Sequence, residues 1–146
     1  MWQPDVTVAA VCEKHGQFLL VEERSKSSQK IVFNQPAGHI EEGESVLAAV
    51  VRETLEETCR HFVPESLIGF YRYQAENGKT YLRYTFCGSI SDVDSSYALD
   101  PDIIRTHWLS LDAIRASASL RSPLVINCIN DYLSGQRYPL DILREI

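Results

Sequence analysis

Short apolar runs separated by polar turns occupy most of the chain, and this pattern predicts a mixture of strands and helices. Runs that are rich in β-branched and aromatic residues and end at Gly, Pro, Asn or Ser are typical of strands. The runs that predict strands are 6–12, 17–23, the beginning of 31–40, 67–74, 80–90 and 105–110. Turn residues at 14–16 and 76–78 predict two hairpins, one from the first two of these runs and one from 67–74 and 80–90.

Two longer stretches have helical spacing instead of alternation. Residues 45–58 carry apolar side chains three and four positions apart after a polar EEGES segment. The stretch 122–136 has Ser122 as a candidate N-cap, Pro123 at the first helical position and Gly135 just beyond the end. Both stretches are therefore predicted to be helices.

Length and composition favour one folded domain that spans residues 1–146. The chain is 45% hydrophobic and 23% charged, which is enough apolar surface for a core. A further short helix is predicted to begin at Leu111. The order of strands, helix, strands and helices predicts an α/β (α+β) fold in which helices pack on a mixed sheet.

Charge and cysteine usage exclude several classes of function. The formal net charge of −6 argues against a nucleic-acid polymer as partner, because such binding needs a basic surface. No apolar run approaches the roughly 20 residues of a membrane span, and the N-terminus lacks the features of a signal peptide. The four cysteines are scattered without metal-like spacing. We expect a cytoplasmic protein that does not contact membranes.

The helix at 45–58 carries carboxylates where its apolar face continues. With 3.6 residues per turn, Glu53 and Glu57 fall on the stripe begun by Val46, Ala49 and Val50. They therefore point towards packed protein or a cleft, where two like charges repel and lose hydration. A hard divalent cation relieves both costs, and Mg²⁺ takes oxygen ligands and is often shared with substrate phosphates.

The neighbouring charges have a simpler interpretation. Arg52 and Glu56 are four residues apart, which is the spacing of an ordinary ion pair on a helix surface. A surface helix end explains these two residues, but it leaves Glu53 and Glu57 unexplained.

The spacing of charged and glycine residues resembles the Nudix box, the signature of Nudix hydrolases. The matching positions are Gly38, Glu44, Arg52, Glu53, Glu56 and Glu57. The chain departs from the pattern at Cys59 and Arg60, where the family usually has Gly and an aliphatic residue. A second departure is Ala37, where the usual lead-in is Pro-Gly-Gly.

The resemblance implies a fold and a set of roles. The family fold is an αβα sandwich with a central mixed β-sheet. Glu53 and Glu57 would be the main metal ligands, and Glu56 would complete the site directly or through water. The carbonyl of Gly38 would supply a backbone ligand. Glu44 and Arg52, also part of the catalytic motif, would hold loop and helix together. The implied cofactor is Mg²⁺, with Mn²⁺ as an alternative.

Residues 34–39 and 120–143 further resemble the NudJ branch of this family. That branch acts on nucleoside di- and triphosphates, thiamine pyrophosphate and its hydroxymethylpyrimidine pyrophosphate precursor. The resemblance therefore implies a small-molecule pyrophosphate substrate, cut by attack of a metal-activated water. Two alternatives stay open: an ADP-ribose or nucleotide-sugar pyrophosphatase, and a Nudix-fold ligand sensor without catalysis.

Contacts to substrate and the general base are less constrained by the sequence. Candidate substrate-binding residues are Gln35 and His39 beside Gly38, and Arg83 within a predicted strand. The sequence slightly favours the alternative that Arg83 is a surface arginine whose stem covers apolar area. The candidates for the general base are Glu23, Glu56, Asp100 and Asp102.

Overall fold

The computed structural model describes all residues, 1–146, as eight strands, three α-helices and a short 3-10 helix. The strands are β1 (Asp5–Val11), β2 (Glu13–Lys14), β3 (Gln17–Arg24), β4 (Ile31–Asn34), β5 (Ala37–His39), β6 (Phe62–Gln74), β7 (Thr80–Ile90) and β8 (Ile103–Ser110). The helices are α1 (Val46–Thr58), α2 (Leu111–Ala116) and α3 (Leu124–Leu133), and the 3-10 helix is Leu140–Ile142.

The strands form two four-stranded sheets. The first has the order β5-β1-β7-β6, with β1 and β7 parallel and the other neighbours antiparallel. It is therefore mixed, as predicted. The second contains β2, β3 and β4, with β8 paired to β3.

Helices cover the first sheet on both sides, which gives the predicted αβα sandwich. One core cluster joins Ala49 and Val50 of α1 to Val8 and Phe86 of the sheet. A separate cluster packs α3 against the opposite side of the same sheet and includes Val11, Ile68, Val125 and Ile129. No helix of the structure is long and apolar enough to cross a membrane.

The first predicted hairpin has its turn where predicted, at His15 and Gly16, but the strand predicted at 6–12 does not pair with β3. β1 is bonded on one edge to β5 and on the other to β7, so no edge remains for β3. The chain instead passes from one sheet to the other near Cys12, and only Glu13–Lys14 pairs with the start of β3. The uniformly apolar stretch Val8–Val11, at most 2% exposed, is typical of a strand buried on both faces.

Helix α1 agrees with the predicted span and has a defined cap at each end. Ser45 is the N-cap, and its Oγ accepts a hydrogen bond of 3.1 Å from the N–H of Ala48. At the other end Cys59 adopts the left-handed conformation with φ of 57°, and its N–H donates to the carbonyl of Leu55 at 2.9 Å. Cys59 thus ends the helix in a conformation that usually selects glycine.

The second predicted hairpin is confirmed, and its first strand is longer than expected. β6 begins at Phe62, ahead of the predicted start at 67. Pro64 and irregular register between Pro64 and Ser66 interrupt the strand pattern at this point. Proline is tolerated here because β6 is an edge strand of its sheet.

Candidate active site

Helix α1 directs two carboxylates into a cleft at one end of the first sheet. Glu57 is 8% exposed, and Ala49 and Val50 on the same stripe are fully buried. The side chain of Glu53 is 14% exposed. The cleft has a volume of about 730 Å³ and is lined by Glu53, Glu56 and Glu57 together with segments of both sheets. The predicted inward orientation of Glu53 and Glu57 is confirmed.

The segment before the helix is fitted closely to these carboxylates. Gly38 lies directly under Glu53, and a Cβ at this position would collide with the Glu53 carboxyl group. The backbone N–H of Ala37 donates a hydrogen bond of 2.9 Å to Oε1 of Glu57. This hydrogen bond uses only the backbone N–H of residue 37, which alanine supplies as well as the glycine usual in the family.

Arg52 connects helix α1 to the segment that precedes it. Its Nε and Nη2 donate to the two carboxylate oxygens of Glu44 at 2.6 and 2.9 Å, so the two residues form a bidentate ion pair. Nη2 also donates to the carbonyl of His39 at 3.0 Å. Nη1 lies 2.9 Å from Glu53 Oε1 and 3.2 Å from Glu56 Oε2. The hydrogen bonds from Arg52 lower the pKa of Glu44.

Burial disfavours ionisation of Glu53 and Glu57, the two carboxylates that face the cleft. Burial raises the pKa of Glu53 from the ordinary 4.5 to about 7, against the opposing effect of Arg52. The pKa of Glu57 is raised well above 4.5, first by burial and then by the charge of Glu23. No hydrogen bond or ion pair to a cationic side chain is formed by Glu57. These are the costs that a bound cation would remove.

The donor set fits a hard cation that retains open coordination positions. All the side-chain donors are carboxylate oxygens, as Mg²⁺ requires. No three of the acidic, His or Cys side chains converge closely enough to enclose an ion in this conformation. A site with one or two protein carboxylates, completed by water and phosphate oxygens, is the arrangement that Mg²⁺ commonly takes in phosphate-processing enzymes.

Acidic residues from outside the helix also border the cleft, among them the candidate bases Glu23, Asp100 and Asp102. Glu23, near the end of β3, is 9% exposed and accepts a hydrogen bond of 2.9 Å from Nη1 of Arg121. The N–H of Asp100 donates to the carbonyl of Glu56 at 2.9 Å, which fixes the acidic loop against α1. Asp102 lies further out and pairs with Lys26 at 3.3 Å. The proximity of Glu23 to Glu57 has no signal in the sequence, because it depends on how the two sheets meet.

The predicted substrate-binding residues occupy different positions. His39 borders the cleft with its side chain 61% exposed. Arg83 also borders the cleft but is 6% exposed, so its interpretation as a surface arginine is wrong. Gln35 is 1% exposed, donates to the carbonyl of Val125 at 2.8 Å and accepts from Arg83 at 3.2 Å. Gln35 therefore positions Arg83, and a direct contact between Gln35 and substrate is not supported.

Residues 1–126 match the NUDIX domain family. The chain belongs to the Nudix hydrolase family, and it is a hydrolase that acts on pyrophosphate bonds. Members of this family generally use divalent metal cations and act on small-molecule pyrophosphates.

Within the family the chain is NudJ-like. Phosphatase NudJ of Escherichia coli (strain K12) is 38% identical over 143 residues, which covers 98% of this chain and 92% of that protein. A solved structure titled NUDIX hydrolase from Nitrosomonas europaea is 51% identical, with a TM-score of 0.94 and coverage of 99% and 98% of the two chains. The MutT protein of Methanosarcina mazei Go1, at 22% identity, TM-score 0.75 and coverage of 94% and 99%, shares the fold.

Proposed function

We propose that residues 1–146 form a single Nudix domain that hydrolyses nucleoside di- or triphosphates or thiamine-related pyrophosphates with Mg²⁺. Mn²⁺ is the alternative metal. The observation that carries the proposal is the pair Glu53 and Glu57, which is buried at the cleft with Gly38 and Ala37 fitted against it. Burial of these two carboxylates costs free energy in the metal-free protein, and a bound cation would remove that cost.

Each residue of the motif has a separate task in this proposal. Glu53 and Glu57 hold the cation, and the half-exposed Glu56 at the rim reaches it directly or through water. Arg52 and Glu44 keep the loop that carries Gly38 in place against the helix. When bound, the metal neutralises phosphate oxygens and lowers the pKa of a coordinated water. Glu23, Glu56, Asp100 and Asp102 all border the cleft and are the candidates for the base.

The substrate class rests on the likeness to NudJ phosphatases. The first alternative, a nucleotide-sugar or ADP-ribose pyrophosphatase, would release two monophosphate products from a dinucleotide-type substrate. The second alternative is a ligand sensor, which has no use for a complete set of catalytic carboxylates. The presence of Glu53, Glu56 and Glu57 supports an enzyme.

A substrate panel with matched variants tests the proposal. Nucleoside di- and triphosphates, thiamine pyrophosphate and ADP-ribose are incubated with Mg²⁺, Mn²⁺ or EDTA. Phosphate and pyrophosphate are measured separately, and monophosphate products are measured by chromatography, because hydrolysis of ADP-ribose releases neither free phosphate nor pyrophosphate. We expect metal-dependent release that falls about 100-fold or more in Glu57→Gln, the order of loss on removing one preorganised charge-stabilising group. Glu42→Gln, an exposed carboxylate before the helix, is the control and should keep full activity. Release without metal, or full activity of Glu57→Gln, would refute the proposal.

A further inference from the structure

A buried cation without an anionic partner lies on the sheet side of the cleft. Arg83 of β7 is 6% exposed, and its guanidinium donates to Oε1 of Gln35 at 3.2 Å and to Oδ1 of Asn34 at 3.4 Å. Its Nε is buried and has no hydrogen-bond partner. Both acceptors are neutral amides, so the positive charge of Arg83 is not compensated by a bound carboxylate. Such a charge is costly to bury.

Three other cations of the cleft are paired with carboxylates: Arg52 binds Glu44, Arg121 binds Glu23, and Lys26 pairs with Asp102. Arg24 and Lys30 also line the cleft, but both are exposed to solvent. Glu23 is a carboxylate whose charge acts on Arg83, but its Oε1 is held by Arg121 at 2.9 Å. Arg83 is therefore the buried guanidinium of this cleft that retains capacity for an anion.

The surroundings hold Arg83 in one orientation. Gln35, which accepts from Arg83, is itself anchored to the carbonyl of Val125 on α3. In the sheet, Thr7 of β1 is paired with Arg83 of β7 on one side and with His39 of β5 on the other. At the usual strand spacing the backbones of Arg83 and His39 are about 10 Å apart, across the cleft that both residues border. The guanidinium is thus preorganised, which lowers the entropy lost on binding a ligand.

We propose that Arg83 binds an anionic phosphate oxygen of the substrate, on the side of the cleft away from the carboxylates of α1. This inference rests on the proposed function for the identity of the ligand as a pyrophosphate. A guanidinium suits the role because its planar N–H groups match phosphate oxygens. Gln35 does not line the cleft and acts as a positioning residue for Arg83, whereas Asn34 accepts from Arg83 and itself borders the cleft.

The test compares Arg83→Met with Arg83→Lys and a matched control, Arg72→Met. Arg72 is an exposed arginine on the neighbouring strand β6 and makes no contact with the cleft. The probe is methylenediphosphonate with Mg²⁺, an analogue whose P–C–P bridge resists hydrolysis, and its Kd is measured by calorimetry. KM and kcat are measured with the best substrate of the panel, and Mg²⁺ affinity is measured without the probe.

We expect Arg83→Met to raise Kd and KM by about 10- to 100-fold, the usual worth of hydrogen bonds to a charged group. Mg²⁺ affinity should be unchanged, and the probe should raise Tm by less than it does in the unsubstituted protein. Arg83→Lys should give an intermediate Kd, because it keeps the charge and loses the planar fork. Arg72→Met should behave like the unsubstituted protein.

A purely structural role for Arg83 predicts a different result. Arg83→Met would then lower Tm without probe while Kd and KM stayed unchanged, and this outcome would overturn the inference. If Arg83→Met does not fold, Arg83→Lys decides, because an unchanged Kd in that variant also contradicts recognition by the guanidinium. Failure of the proposed function is separate: it would appear as no hydrolysis by the unsubstituted protein, while probe binding still depended on Arg83.

Discussion

Replacing Gly38 by alanine should damage the metal site through one identifiable contact. A Cβ at Gly38 would overlap the Glu53 carboxyl group, so either the loop or the Glu53 side chain must move. The loop is held by Arg52 through the carbonyl of His39 and by the hydrogen bond between Ala37 and Glu57. We therefore expect Glu53 to rotate away and to lose its 2.9 Å hydrogen bond to Arg52.

The magnitude follows from these contacts. Overpacking of a well-fitted site costs about 1–3 kcal/mol. If Glu53 holds the cation as proposed, its displacement should weaken Mg²⁺ binding by about 10- to 100-fold, as found when the support of a metal ligand is removed. Isothermal calorimetry with Mg²⁺, or with Mn²⁺ as a probe, measures the affinity, and thermal unfolding of the metal-free protein measures the stability change.

A double-mutant cycle tests the mechanism and not only the effect. If Cβ acts through Glu53, Gly38→Ala should lower metal affinity in the native background and have little effect when Glu53→Ala is already present. The coupling energy between the two sites should then be about 1–3 kcal/mol. Equal losses in both backgrounds would show that alanine distorts the loop by itself, and the assigned role of the Gly38–Glu53 contact would be refuted.

Two further predictions concern pH and the end of α1. Burial raises the pKa values of Glu53 and Glu57 in the folded state above those of the unfolded chain. At pH values between the unfolded and the folded pKa, the folded protein therefore binds more protons than the unfolded chain. From pH 5 to pH 8, the rise of the Glu53 pKa from 4.5 to about 7 should by itself lower the free energy of unfolding of the metal-free protein by about 2–3 kcal/mol, and Glu57 should add to this fall. Saturating Mg²⁺ should reduce the slope, and a metal-free stability that rises with pH would contradict the prediction. Cys59→Gly should be about 1 kcal/mol more stable than Cys59→Ala in chemical denaturation. Both substitutions remove Sγ, but only glycine adopts φ of 57° without strain. Equal stabilities of the two variants would count against strain at this position.

The local features of the fold were predictable from the sequence. The span of α1, the inward orientation of Glu53 and Glu57, and the hairpin around 76–78 all depend on neighbours along the chain. Periodicity and turn chemistry report such neighbours directly. The pairing of β1 was not predictable in the same way. Its partners β5 and β7 are set by long-range contacts, and an apolar run carries no information about which strand lies on each edge.

The same distinction applies to the way in which the predicted site residues are brought together. The box from Gly38 to Glu57 is contiguous in sequence, so one helix and the segment before it bring its members together. Gln35 lies beside that segment, but its side chain turns inward because α3 offers the carbonyl of Val125. The burial of Arg83 also depends on Asn34 and Gln35, which are distant from it in sequence.

The cleft combines two uncompensated charges of opposite sign, and this arrangement suits a metal–pyrophosphate complex. On the helix side Glu57 is a buried acid without a cationic partner, and on the sheet side Arg83 is a buried cation without an anionic one. The two charges do not neutralise each other, because no ion pair joins them. In a complex of magnesium with a phosphate group, the metal would face Glu57 as a cation and the phosphate would face Arg83 as an anion. Binding of both together should therefore stabilise the protein more than either alone, since each removes a cost that the other leaves in place.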